Sequence, residues 1–262
     1  MNSCMNGLFI TGTDTDVGKT ALSALLLAEL RRRNINVAPM KPVQTGCGEA
    51  ATGTRHEALG NRSITAQSSR FTVPDLDYSL SMAQMEVDDE AYRNMAPYTF
   101  EPACSPHLAA EMAGTEIDIA EIIIAARTLA RTYEFILAEG AGGIMVPLNR
   151  RELMLDLMQA LRFPVLLVAR PNLGTINHTL LSIRALRSDG LDIAGVVLVS
   201  SRPGEPGFIE ADSAGTIEQF GNVPVLGTIP YCTQLAPPRP RFSDLPDSIK
   251  EEIRRIADQL IA

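Results

Sequence analysis

The run Gly12-Thr13-Asp14-Thr15-Asp16-Val17-Gly18-Lys19-Thr20 has the composition of a phosphate-binding loop. Glycines let a backbone curl so that successive N–H groups face one anion, and a helix starting at once afterwards adds the positive end of its dipole. Lys19 can then reach terminal phosphates, and the Thr20 hydroxyl can ligate Mg²⁺. With glycine near 7% of residues, a bare match arises by chance in on the order of one chain per hundred. An apolar run before the loop and a helical pattern after it raise its weight.

Two further signals follow expected strands. The first is Lys41-Pro42-Val43-Gln44-Thr45-Gly46, the second Glu139-Gly140-Ala141-Gly142-Gly143. In a parallel sheet ligands sit at the carboxyl ends of the strands, so Lys41 is expected in the same crevice as the phosphate loop. A carboxylate at Glu139 can hold Mg²⁺ directly or through water, while the glycines let backbone approach a nucleotide. Alone, Lys41 reads as a solvated lysine and Glu139 as an incidental acid beside a glycine turn. Three such signals after three strands read together as one site.

The elements that must position these residues alternate. Apolar runs at 7–11, 37–41, 135–139, 164–169, 193–200 and 225–228 read as strands. Several are apolar on successive residues, as in strands buried on both faces of a parallel sheet. Helical patterns cover 19–33, 105–113, 119–132, 153–161, 175–189, 210–220 and 246–261. The fold class this implies is α/β: a doubly wound, mostly parallel sheet with helices on both faces, of the P-loop NTPase type. Residues 1–262 read as a single domain. Residues 46–69, rich in Gly, Ala, Thr and Ser, read as a long loop-like or mobile segment, which is often functional.

Composition excludes several classes. The formal net charge is -8 and only the short run Arg31-Arg32-Arg33 concentrates cations. No basic stripe for DNA or RNA is present. An anionic substrate must instead be drawn in by a few local cations. The four cysteines, Cys4, Cys47, Cys104 and Cys232, are scattered. That spacing argues against zinc, a redox dithiol or a disulfide framework, and free thiols fit a reducing compartment. No signal peptide is read at the N-terminus, and no apolar run reaches membrane-spanning length. A cytoplasmic protein that binds neither nucleic acid nor membrane is expected.

Over almost its whole length the sequence resembles the dethiobiotin synthetase family. The resemblance rests on the three motifs above, on Pro97-Tyr98-Thr99-Phe100 and Glu101-Pro102-Ala103-Cys104-Ser105-Pro106-His107, and on Leu173-Gly174-Thr175-Ile176-Asn177-His178. It implies a homodimer that joins 7,8-diaminononanoate and CO₂ into dethiobiotin at the expense of ATP, with Mg²⁺. By resemblance Lys41 holds a substrate carbamate and Lys19 the γ-phosphate; both are catalytic. Nucleotide contacts are implied at Asp16, Val17, Gly18, Lys19, Thr20 and Ala21, at Glu139, Gly140, Ala141 and Gly142, and at Pro230 and Tyr231. Substrate contacts are implied at Thr15, Thr45, Leu173, Gly174 and Thr175. The metal ligands implied are Thr20, Glu139 and one further acid. Asp77 is favoured, with Asp75 and Glu57 as rivals.

One region departs from the family pattern. An asparagine common after the strand near Gly195 is replaced by Val199-Ser200, which leaves the preference for the nucleotide base open. Two other readings compete. A cobalamin-pathway amidase of related fold needs a glutaminase domain that 262 residues do not accommodate. A nucleotide-switched partitioning or adaptor ATPase would carry a second loop lysine where Thr13 stands. Five residues also separate Gly12 from Gly18, where the common loop has four.

Overall fold

The structure is a computed structural model that describes residues 5–49, 71–204, 207–236 and 240–261. Along the chain come β1 (Gly7–Gly12), α1 (Lys19–Arg32), β2 (Val37–Met40), β3 (Val43–Gln44), β4 (Gly48–Glu49) and β5 (Phe71–Thr72). Then follow α2 (Pro74–Met82), α3 (Asp89–Met95), β6 (Tyr98–Thr99), α4 (Pro106–Met112), α5 (Ile119–Leu129) and β7 (Phe135–Gly143). The C-terminal part holds α6 (Met154–Leu161), β8 (Val165–Ala169), α7 (Thr175–Ser188), β9 (Ile193–Val199), α8 (Phe208–Gly221), β10 (Val225–Ile229) and α9 (Asp247–Leu260).

Six strands form one parallel sheet in the order β10-β9-β8-β1-β7-β2. Their continuous apolar runs are explained by what covers each face. Leu8 and Ile10 of β1 pack with Leu22, Leu25 and Leu26 of α1 and with Ile249 and Ile253 of α9. Phe9, between them, turns to the other face, among Ile122 of α5 and Leu157 and Leu161 of α6. Leu167 of β8 and Val196 and Leu198 of β9 meet Ile183 of α7 and Ile217 of α8 on that same side. A strand needs apolar residues at every position when both sides are covered.

The chain leaves β1 through α1 to the far edge strand β2, and later crosses from β7 through α6 to β8 on the other side of β1. That reversal opens a crevice at the carboxyl ends of β1, β7 and β8, where open α/β sheets bind ligands. The Arg31-Arg32-Arg33 run closes α1, where cations face the negative end of the helix dipole. Arg33 ties α1 to α9, with Nη1 2.8 Å from Asp258 and Nη2 donating to the Arg254 carbonyl at 3.0 Å.

The six expected strands and seven expected helices match elements of the sheet and its covering layers. The expected element pattern lacks α2 and α3. In α2, Leu76, Tyr78, Ser79, Leu80 and Met82 are all buried, which erases the one-sided period that marks a surface helix. Of the segment 46–69, only residues 46–49 are described, and the rival acid Glu57 lies outside the described residues. Among the described residues no helix is long and apolar enough to cross a membrane.

Candidate active site

The phosphate loop spans the six residues between β1 and α1. Gly18, directly before the helix, has φ 98°, a conformation that glycine adopts without strain. A Cβ at Gly18 would lie 2.5 Å from Cγ1 of Val199, so the end of β9 presses directly against the loop. Within the loop, Lys19 Nζ donates to the Asp14 carbonyl at 2.8 Å, and Thr15 N–H donates to Asp14 Oδ1 at 2.7 Å. Burial, and next the charge of Lys41, pull the Lys19 ammonium down to about 8. The two lysines therefore share one electrostatic environment.

Lys41, at the end of β2, is 4% exposed. Its Nζ lies 2.6 Å from Asp75 Oδ2 and 2.7 Å from Glu139 Oε1, and also donates to the Gly140 carbonyl at 3.2 Å. The Thr20 hydroxyl donates to the same Glu139 Oε1 at 2.8 Å. Register places Glu139 of β7 opposite Ile10 of β1, which brings it beside the phosphate loop. Burial disfavours charge on Lys41, but Glu139 and Asp75 outweigh it and hold the ammonium above its ordinary value. Burial likewise pushes Asp75 up, but the charge of Lys41 and its hydrogen bond hold the carboxyl below the usual range. Removing one member of such a buried group strands the others, at a cost of about 3–5 kcal/mol.

The oxygens of Thr20, Asp75 and Glu139 form a hard donor set that could hold Mg²⁺. Among the described residues no group of three or more His, Cys, Asp or Glu is arranged for a metal. Two carboxylates and a hydroxyl are nonetheless what a Mg²⁺ site needs, because that ion keeps several waters and takes phosphate oxygens from its nucleotide. The Lys41 ammonium, between both carboxylates, marks where positive charge is compensated.

The expectation that Asp77 is the second acid is corrected by this geometry. Asp77 Oδ1 accepts the Tyr92 hydroxyl at 2.7 Å. Two positions apart on α2, Asp75 and Asp77 cannot face the same side. Asp75 takes the place in the pocket.

A family model described as an AAA domain matches residues 6–239. The ATP-dependent dethiobiotin synthetase BioD of Anoxybacillus flavithermus is 38% identical over 234 residues, covering 88% of this chain and 95% of that protein. The protein of the same name from Thermodesulfovibrio yellowstonii is 34% identical over 87% of this chain and 90% of its own length. The chain belongs to the dethiobiotin synthetase family. Solved structures share the fold of this chain at lower identity. The MinC:MinD cell division complex of Aquifex aeolicus gives a TM-score of 0.60 at 15% identity, covering 98% of this chain and 96% of that one. The cell division ATPase MinD of Pyrococcus furiosus gives 0.55 at 18%, covering 98% of each chain. These neighbours fix the fold as that of P-loop ATPases.

The remaining residues implied by the family resemblance fall at the same edge of the sheet. A Cβ on Gly142, which has φ 70°, would lie 3.8 Å from Thr15 Oγ1, so the turn after Glu139 sits against the phosphate loop. Thr45 accepts a hydrogen bond at its carbonyl from Gln44, whose own Oε1 receives the Asp75 N–H at 3.4 Å. Leu173, 84% exposed, and Gly174, at φ 93°, lead into α7 at Thr175 after β8. Pro230 and the half-exposed Tyr231 follow β10. One residue and one contact were missed by the sequence reading. Arg170, at the end of β8, places Nη2 3.4 Å from Asp14 Oδ2. The packing of Val199 on Gly18 was missed as well. A lone arginine after a strand and a valine at a strand end carry no local signal of either contact.

Proposed function

We propose that this pocket closes a cyclic urea from 7,8-diaminononanoate and CO₂ with hydrolysis of ATP to ADP and phosphate, the reaction of the dethiobiotin synthetase family, and that the chain works as one P-loop α/β domain. The observation that carries the reading is the convergence of Lys41, Asp75, Glu139 and Thr20, with Lys19 close enough for its charge state to be set in part by Lys41. In this reading one amine takes up CO₂ as a carbamate, the carbamate oxygen attacks the γ-phosphate, and the second amine closes the ring and expels phosphate.

An anion must attack an anion. Two unit charges about 4 Å apart repel by about 4 kcal/mol at an effective dielectric near 20, close to three factors of ten in rate. Lys19 leaves the Asp14 carbonyl to meet the γ-phosphate, and Lys41 neutralises the carbamate, each stabilising charge where it builds. Thr20, Asp75 and Glu139 would hold Mg²⁺, which when bound supplies a Lewis-acid clamp on the phosphate oxygens. The N–H groups at the loop from Asp16 to Ala21 cradle phosphate, and Gly140, Ala141 and Gly142 let the backbone approach the nucleotide. Pro230 and Tyr231 flank the base. Thr15 and Thr45 line the diamine side, and the N–H groups of Leu173 and Gly174 receive the substrate carboxylate beside Thr175, whose own N–H donates to the Asn172 carbonyl.

A homodimer supports that last contact. Leu173, just before α7, and Leu181, midway along it, are exposed apolar residues that a subunit contact would cover. The absence of a basic stripe and the thiol count support a cytoplasmic enzyme with small-molecule substrates. Incubation with the diamine, bicarbonate and ATP tests the reading, with phosphate release followed continuously. Release that depends on the diamine supports the ligase; release that ignores it favours the nucleotide switch whose fold this chain shares.

A further inference from the structure

Behind the Lys41–Asp75–Glu139 cluster lies a cavity of about 10 Å³, close to the space one water molecule requires. Its polar wall comprises Ser23, Ser79, Lys41, Asp75 and Glu139. Ser23 is 4% exposed, and its Oγ is buried without a hydrogen-bond partner among the described residues. Alanine would suit such a helix position better, being the stronger helix former with no hydroxyl to desolvate. Something must compensate the serine.

The spacing shows what. Thr20 and Ser23 lie three apart on α1, and Asp75 and Ser79 four apart on α2, so each helix presents two polar residues on one face. The helices pack against each other. Thr20 and Asp75 form the layer that meets the nucleotide, and Ser23 and Ser79 the layer behind it. We propose that the cavity holds one ordered water, bound by Ser23 Oγ and shared with the carboxylates of Asp75 and Glu139. Ser23 is thereby a positioning residue for the metal-binding acids; this rests on the metal assignment under Proposed function. The water's oxygen accepts the serine proton, and its own two protons serve carboxylate lone pairs that Lys41 and Thr20 leave free. Outer partners of this kind aim a ligating group, and their loss weakens metal binding by about 10–100-fold.

Two measurements decide the matter. In a crystal structure of the nucleotide-free protein, density for a water within hydrogen-bond distance of Ser23 Oγ and of Asp75 or Glu139 is expected; a cavity without density overturns the proposal. Mn²⁺ binding to the ADP complex, read by electron paramagnetic resonance, is expected to weaken about tenfold or more in Ser23→Ala, with the melting temperature unchanged. Wild-type Mn²⁺ affinity in that variant, or weakening accompanied by a general loss of stability, overturns the positioning role. Failure of the wild-type ADP complex to bind Mn²⁺ would instead sink the metal assignment, and Ser23's role with it. The crystallographic water is read independently of that outcome.

Discussion

Lys41 faces two carboxylates, so the buried cluster carries one more negative charge than positive, and the Lys41 ammonium is held by both Asp75 and Glu139. Replacing Lys41 by alanine should leave ATP affinity nearly intact and lower turnover by about 10³-fold, the rate equivalent of ~4 kcal/mol of uncompensated repulsion; steady-state kinetics with KM and kcat separated measures it. Near-normal turnover would remove Lys41 from the catalytic set. The two acids of α2 should separate cleanly. Asp75→Asn should raise the Mg²⁺ concentration for half-maximal turnover by roughly 10–100-fold, since a charged contact contributes about 1.5–3 kcal/mol. Asp77→Asn should leave that titration unchanged, because an amide oxygen can still accept the Tyr92 hydroxyl. Cys47 sits close to the site but is silent: burial pushes its thiol up to about 11. At pH 8 the native protein should show no alkylation of Cys47 by iodoacetamide, while guanidinium-unfolded protein is labelled, as peptide mass spectrometry would report.

At the level of elements, the crevice is made by the turn from β1 into α1 and by the end of β9 beneath it. Gly18 is the hinge of that arrangement, because its φ of 98° and the contact with Val199 leave no room for a side chain. Gly18→Ala should cost about 2–4 kcal/mol from left-handed backbone and overpacking together, and isothermal titration with ADP should show binding lost. Adding Val199→Ala would relieve the clash but not the backbone strain, so recovery should be partial. The same contact explains why β9 ends in a valine here: the side chain is taken up as the floor of the phosphate loop.

For the whole molecule, a net charge of -8 means that the pocket lysines act against the field of the protein that carries them. Burial of Lys19 and Lys41 answers this, since charges in a low-dielectric crevice are screened less than those on the surface. In the proposed homodimer, surface and site would meet. Leu181, 59% exposed on α7, should lie in the subunit contact. Leu181→Glu is expected to convert a particle of two 28.3 kDa chains into one in light scattering. It should also weaken diamine binding more than ATP binding.

The phosphate loop, Lys41 and Glu139 were legible in the sequence because each follows an apolar run that can only be a buried strand, and a parallel sheet sends all such strand ends to one edge. The six strands and most helices were legible for the same reason, their periods being set by burial on one face or two. Asp75 over Asp77 was not. Both acids open the same short helix, and only the direction in which α2 packs against α1 decides which one meets Lys41. Nor could the sequence set Ser23 and Ser79 on one cavity or Val199 on Gly18, because these placements bring together segments far apart in the chain. Local chemistry determined what the residues could do, and packing determined which of them do it together.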